Sequence, residues 1–148
     1  MSYYCNPINV FYPYSFKKDP RDYFKMTVNR EAADPSMVFY RGRYYIFASM
    51  TASVWVSEDM AEWKNFPLPD HFPIYDYAPD ACVVGDWLYL TASNRGKPCN
   101  FYRTKDPVRG PYEEIPGSID FWDPDLFADS DGRLYLYYGC SNTEPIRG

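Results

Sequence analysis

Two aspartates stand directly before proline at matching places in a repeated stretch of this chain, Asp34 in Asp34-Pro35-Ser36 and Asp123 in Asp123-Pro124-Asp125. The copy between them reads Ala78-Pro79-Asp80. Two carboxylates brought to one place suit the cleavage of a glycosidic bond, in which one activates water while another group protonates the departing oxygen. An aspartate before proline is also an ordinary turn residue, because its side chain bonds nearby backbone N–H groups and proline favours an extended residue ahead of it. One Asp-Pro alone therefore says little, whereas two at equivalent repeat positions point to a shared site if the fold brings the copies together. Tyr77, Asp80 and Trp122 adjoin the same positions and are candidates for lining a sugar site, the two aromatic rings by stacking on a sugar face. The alternative roles are packing between sheets for the aromatics and a backbone hydrogen bond for Asp80.

The other chemistry-bearing side chains have blander readings. His71 is the single histidine and lies between Pro69 and Pro73, which suits a surface loop better than a ligand. Asn94 follows Ser93 and reads as a turn amide. Cys5, Cys82, Cys99 and Cys140 lack the paired spacing of zinc or redox motifs and are expected to be reduced core or surface thiols. No metal site and no cofactor is identified.

What must position the aspartates is the repeat. Segments beginning at Asp34, Ala78 and Asp123 stack with their prolines 44 and 45 residues apart. Each carries an apolar run, a tight polar turn (Arg41-Gly42, Gly85-Asp86 or Asp131-Gly132) and a second run rich in aromatic and branched residues, which is a hairpin pattern. A third strand over 52–57 and a short outer strand beyond Trp63 complete the first copy; 100–104 and 112–115 do the same for the second. About four strands in ~45 residues is the pattern of a propeller blade. No stretch carries helical spacing for more than about two turns, so an all-β protein with little helix is expected.

The expected layout is one partial β-propeller domain over 1–148. Residues 1–30 form a leading segment, either a loop or a strand that closes the ring; 31–75 form a first blade, 76–119 a second and 120–148 the start of a third. Propellers close with four or more blades, so a chain of about two and a half is expected to be a piece of a longer protein or to complete its ring by self-association through the open edge.

Bulk properties narrow the partners. The net charge is −5 with Lys and Arg scattered singly, so there is no basic stripe for nucleic acid. The start Met1-Ser2-Tyr3-Tyr4 lacks a basic and apolar leader, and no apolar run reaches membrane-spanning length, which gives a cytoplasmic expectation without membrane contact. Sixteen tyrosines among 148 residues suit half-buried strands and sugar-stacking grooves.

Glu31-Ala32-Ala33-Asp34-Pro35-Ser36, Tyr77-Ala78-Pro79-Asp80, Trp122-Asp123-Pro124-Asp125-Leu126-Phe127 and Ser57-Glu58-Asp59 before Trp63, taken in order, resemble the family 43 glycoside hydrolases over about Asn29 to Gly139. The resemblance implies a five-bladed propeller and inverting hydrolysis of arabinose- or xylose-containing oligosaccharides or polysaccharides. It implies that Asp34 is the general base and that Asp123 is the carboxylate that orients the general acid and tunes its proton affinity. The acid it implies is a glutamate of a later blade in a Glu-Gly-Pro setting, which this sequence does not contain; Glu144 lies in Thr143-Glu144-Pro145 and does not match. Two other readings stand beside it: a noncatalytic carbohydrate-binding or scaffolding propeller, and another five-bladed glycoside-processing family.

Overall fold

Short runs of aromatic and branched residues, separated by glycine-bearing polar turns, give a chain built from antiparallel hairpins. The computed structural model describes residues 10, 15–19, 22–29, 32–69, 78–94 and 97–139, the backbone alone in 15–19 and 22–29. Its strands are β1 (Ser15–Asp19), β2 (Asp22–Asn29), β3 (Ser36–Tyr40), β4 (Arg43–Phe47), β5 (Ser53–Ser57), β6 (Lys64–Pro67), β7 (Asp80–Val84), β8 (Trp87–Thr91), β9 (Phe101–Thr104), β10 (Glu113–Ile115), β11 (Trp122–Ala128) and β12 (Leu134–Gly139). No helix occurs among the described residues.

β3-β4-β5-β6 and β7-β8-β9-β10 are four-stranded sheets in simple meander order, and β11-β12 is a two-stranded sheet. These are two complete blades and the inner hairpin of a third. Their innermost strands are neighbours, with β7 packed against both β3 and β11. The leading segment, where the sequence left a loop or a ring-closing strand open, holds a two-stranded sheet, β1-β2.

The register explains which side chains meet between blades. Ser36 pairs with Phe47, Asp80 with Thr91 and Asp125 with Tyr137, so the three hairpins are superimposable copies with one extra residue in the third turn. Tyr40, Tyr45, Phe47, Val54 and Val56 of the first blade share one buried cluster with Leu88, Leu90 and Tyr102 of the second. The Tyr40 hydroxyl donates to the Asp86 carbonyl at 2.6 Å, so the first blade also grips the turn of the second. Apolar burial of this kind is the main force holding blade to blade, and the polar tip of each tyrosine is satisfied at the rim.

The same turn follows the third strand of both complete blades. In the first, Ser57 Oγ accepts from the Met60 N–H and Asp59 Oδ1 accepts from the Ala61 and Glu62 N–H groups. In the second, Thr104 Oγ1 accepts from the Asp106 N–H and Asp106 Oδ1 from the Val108 and Arg109 N–H groups. A hydroxyl residue followed two positions later by aspartate thus satisfies the backbone where the strand ends. Those N–H groups also hold the Asp59 carboxyl below the usual carboxylate range.

Candidate active site

The proline-flanked positions share an unusual backbone. Asp34, Ala78 and Asp123 have φ of 48°, 49° and 50°, the left-handed region. Aspartate enters this region more readily than most side chains because it is short and polar, whereas alanine carries a cost of about 1–2 kcal/mol there. All three copies accept it, so the kink belongs to the blade rather than to one residue. It turns the chain into the innermost strand at the same end of each blade.

Serines at one repeat position hold these kinks. Ser49 is fully buried, and its hydroxyl oxygen accepts the Ala78 N–H at 2.8 Å while its proton is directed to Asp34 Oδ2 at 3.2 Å. Ser93, also buried, accepts the Asp123 N–H at 3.2 Å. The third copy has glycine: a Cβ built on Gly139 would lie 3.8 Å from Asp123 Oδ2, so Gly139 occupies the place beside Asp123 that Ser49 occupies beside Asp34. Asp34 therefore has a hydroxyl donor from its own blade, and Asp123 has none at that position.

A second set of bonds runs one residue beyond the prolines. Ser36 Oγ donates to Asp80 Oδ1 at 2.6 Å and accepts the Ala81 N–H at 3.1 Å. Asp80 Oδ2 accepts the Leu126 N–H at 2.6 Å. Each blade thus offers an acceptor, Ser36 or Asp80, to the strand N–H of the next blade.

Asp34, Pro35, Ser36, Ala78, Pro79, Asp80, Asp123 and Pro124 line one open cleft of about 270 Å³. Two exposed carboxylates, Asp34 and Asp123, thus share a wall with the half-buried Asp80, although Asp34 and Asp123 lie far apart in sequence. A larger cleft of about 660 Å³ lies at the opposite ends of the strands, lined by Arg43, Glu58, Asp59 and Asp106 among others. Three of its four acids are already engaged, Glu58 by Arg43 at 3.3 Å and Asp59 and Asp106 by the turns they cap. The smaller cleft is the better candidate because Asp34 and Asp123, its two outermost carboxylates, are exposed to whatever enters.

Of the residues singled out from sequence, Asp34, Asp80 and Asp123 come together in this cleft. Trp122 begins β11, half-buried, beside Asp123 and opposite Gly139. Tyr77, His71 and Glu144 lie outside the described residues. Asn94 is a loop amide bonded to the Pro98 carbonyl at 3.1 Å. Among the described residues no three His, Cys, Asp or Glu side chains group as a metal site would need. Ser36, Ser49 and Ser93 escaped the sequence reading. Ser49 and Ser93 stand at one position of the stacked repeats, and that coincidence was the available signal.

Residues 24–147 match the family described as Glycosyl hydrolases family 43. Xylosidase/arabinosidase 43A of Humicola insolens is 28% identical, in a match covering 77% of this chain and 45% of that protein. The chain thus spans less than half the length of this curated relative. Among solved structures, the bifunctional GH43-CE protein of Bacteroides eggerthii aligns with a TM-score of 0.61 at 23% identity, over 74% of this chain and 18% of that one. The arabinoxylan arabinofuranohydrolase of Bacillus subtilis, solved in complex with cellotetraose, aligns with a TM-score of 0.56 at 22% identity, over 78% of this chain and 35% of that one. The fold is that of the five-bladed propellers, of which this chain supplies roughly the first two and a half blades, and the chain belongs to family 43 of the glycosyl hydrolases.

Proposed function

We propose that the full-length protein hydrolyses O-glycosidic bonds in arabinose- or xylose-containing glycans with inversion at the anomeric carbon, and that this chain supplies its general base and one supporting carboxylate. The observation that carries the reading is the placement of Asp34 and Asp123 at equivalent left-handed kinks on one cleft. Membership of the family and the similarity to a xylosidase/arabinosidase support the substrate class.

In this reading Asp34 takes a proton from a water molecule that attacks the anomeric carbon from the face opposite the leaving group. The Ser49 hydroxyl, directed at Asp34 Oδ2, favours the carboxylate rotamer that presents the other oxygen to the cleft. Asp123 has no serine neighbour of this kind and is exposed, which suits a carboxylate that interacts with a group brought by a later blade. That group is the general acid, a glutamate in the remainder of the protein, which protonates the departing oxygen. Tyr77 and Trp122 are proposed to pack against the sugar ring.

The test is Asp34→Asn in the full-length protein, assayed on aryl arabinofuranosides and xylosides. Asparagine also tolerates the left-handed backbone, so the fold is expected to be kept. Loss of the base is expected to lower kcat by about 10²–10⁴-fold. A correctly folded Asp34→Asn protein with undiminished turnover removes Asp34 from the mechanism.

A further inference from the structure

The Asp80 carboxylate lies across three blades. One oxygen takes the Ser36 hydroxyl of the first blade at 2.6 Å, the other takes the Leu126 N–H of the third at 2.6 Å, and Asp80 itself opens the innermost strand of the second. Bonds to an ionised carboxylate at this length are of the strong, charge-assisted kind. Ser36 is separated from Asp34 only by Pro35, and Leu126 follows the run Asp123-Pro124-Asp125. A proline ring fixes φ, so a displacement of Ser36 or Leu126 passes to the neighbouring aspartate with little absorbed on the way. The cleft lining contains three carboxylates and no lysine or arginine, so mutual repulsion tends to spread the three strands apart. The two bonds to Asp80 oppose that spreading.

We propose that Asp80 is a positioning residue that fixes the separation of Asp34 and Asp123 without touching the sugar. This rests on the proposed function for its catalytic meaning, but its geometric content does not. A carboxylate serving mainly as a sugar ligand would need no partner on either side, whereas each oxygen of Asp80 already accepts a bond from a neighbouring blade. The arrangement also accounts for the differing residue types at one repeat position. Ser36 has only to reach the adjoining blade, whereas Asp80 must accept from the blade on each side and therefore needs two oxygens.

The experiment compares Asp80→Ala, Asp80→Asn and Asp34→Asn in the full-length protein, with kcat and KM expressed per folded molecule and crystal structures of the wild type and Asp80→Ala. In Asp80→Ala the Asp34 and Asp123 carboxylates are expected to move by about 1 Å relative to each other, with a fall in kcat of about 10²-fold. KM is expected to change by less than about threefold, because no substrate contact is lost. Asp80→Asn is expected to recover most of kcat, since an amide oxygen still accepts from Leu126 and the amide N–H can donate to the second lone pair of Ser36 Oγ. A rise in KM with kcat kept would make Asp80 a sugar ligand and overturn the proposal. Unchanged kcat per folded molecule in Asp80→Ala would reduce Asp80 to fold stability and overturn it too, as would an unchanged carboxylate separation in the crystals. Retained turnover in Asp34→Asn, or no hydrolysis by the wild type, defeats the proposed function instead, and the crystallographic comparison still decides the role of Asp80.

Discussion

At the scale of single residues, the site depends on small polar side chains that bond in two directions. Ser49 is the clearest case: its oxygen satisfies the buried Ala78 N–H and its proton is turned toward Asp34. Ser49→Ala removes both. The stranded N–H is expected to lower stability by about 1–3 kcal/mol, read as a lower urea midpoint of the full-length protein. The loss of a donor to Asp34 is expected to lower kcat as well, by about tenfold, a modest fraction of what general base catalysis contributes. The contrast with Asp34→Asn separates the two effects, since that change is expected to lower kcat by about 10²–10⁴-fold at nearly unchanged stability. An unchanged urea midpoint in Ser49→Ala would show that Ser49 does not hold the kink. Asp34 and Asp123 were legible as a pair because their type, proline neighbour and spacing all repeat. Ser49 was not legible, and for Asp80 a backbone bond was but its partner, Leu126, was not, because a bond from one blade to the next depends on register that no local pattern encodes.

At the scale of elements, the hairpins, the third strands and the outer strands fall where the apolar runs and the turns between them place them. The third strand expected over 52–57 runs Ser53–Ser57, and that expected over 100–104 runs Phe101–Thr104. These elements were readable because a short apolar run bounded by a polar, glycine-bearing turn is a local signal. The left-handed kink at Ala78 was not, since alanine gives no hint of it. The tyrosines that seal the elements set a dependence on alkali. Tyr112 is buried against the turn after β9 and donates to the Pro107 carbonyl at 2.6 Å. Burial, and then the nearby Asp106 and Tyr45, push its hydroxyl above the ordinary tyrosine range. Burial raises Tyr45 and Tyr102 in the same direction. The folded chain therefore keeps protons that the unfolded chain releases near pH 10, where free tyrosine titrates. Stability from these groups is complete below about pH 10 and falls as pH rises above it. Tyr112→Phe is expected to lose about 1 kcal/mol at neutral pH with its hydrogen bond and to flatten the alkaline limb. Urea unfolding at about pH 8 and about pH 10.5 checks this; an equally steep limb in the variant would assign the dependence to other groups.

At the scale of the whole molecule, the repeat leaves two apolar faces without a described neighbour. The first blade turns Val38 and Tyr40 toward the second and leaves Met37 and Phe39 on its other face, 52% and 56% exposed. The third hairpin buries Leu126 toward the second blade and leaves Phe127, Tyr135 and Tyr137 outward, at 49%, 38% and 59%. Phe127 pairs across the strands with Tyr135 and Asp125 with Tyr137, so this outward face is a continuous aromatic surface rather than scattered residues. In a closed propeller the next blade would cover it. A polypeptide limited to residues 1–148 has no such blade, and contiguous apolar surface together with an edge of β12 that pairs with no other strand among the described residues favours association. Sedimentation velocity of that polypeptide is therefore expected to show concentration-dependent assembly, and Phe127→Lys with Tyr137→Lys to shift it toward monomer. The same polypeptide is expected to show no appreciable hydrolysis of aryl arabinofuranosides or xylosides, because in the proposed mechanism the acid that protonates the leaving group comes from a later blade. A monodisperse monomer with turnover would contradict both expectations together. It would mean that the aromatic face is tolerated in water and that a group within these residues donates the proton.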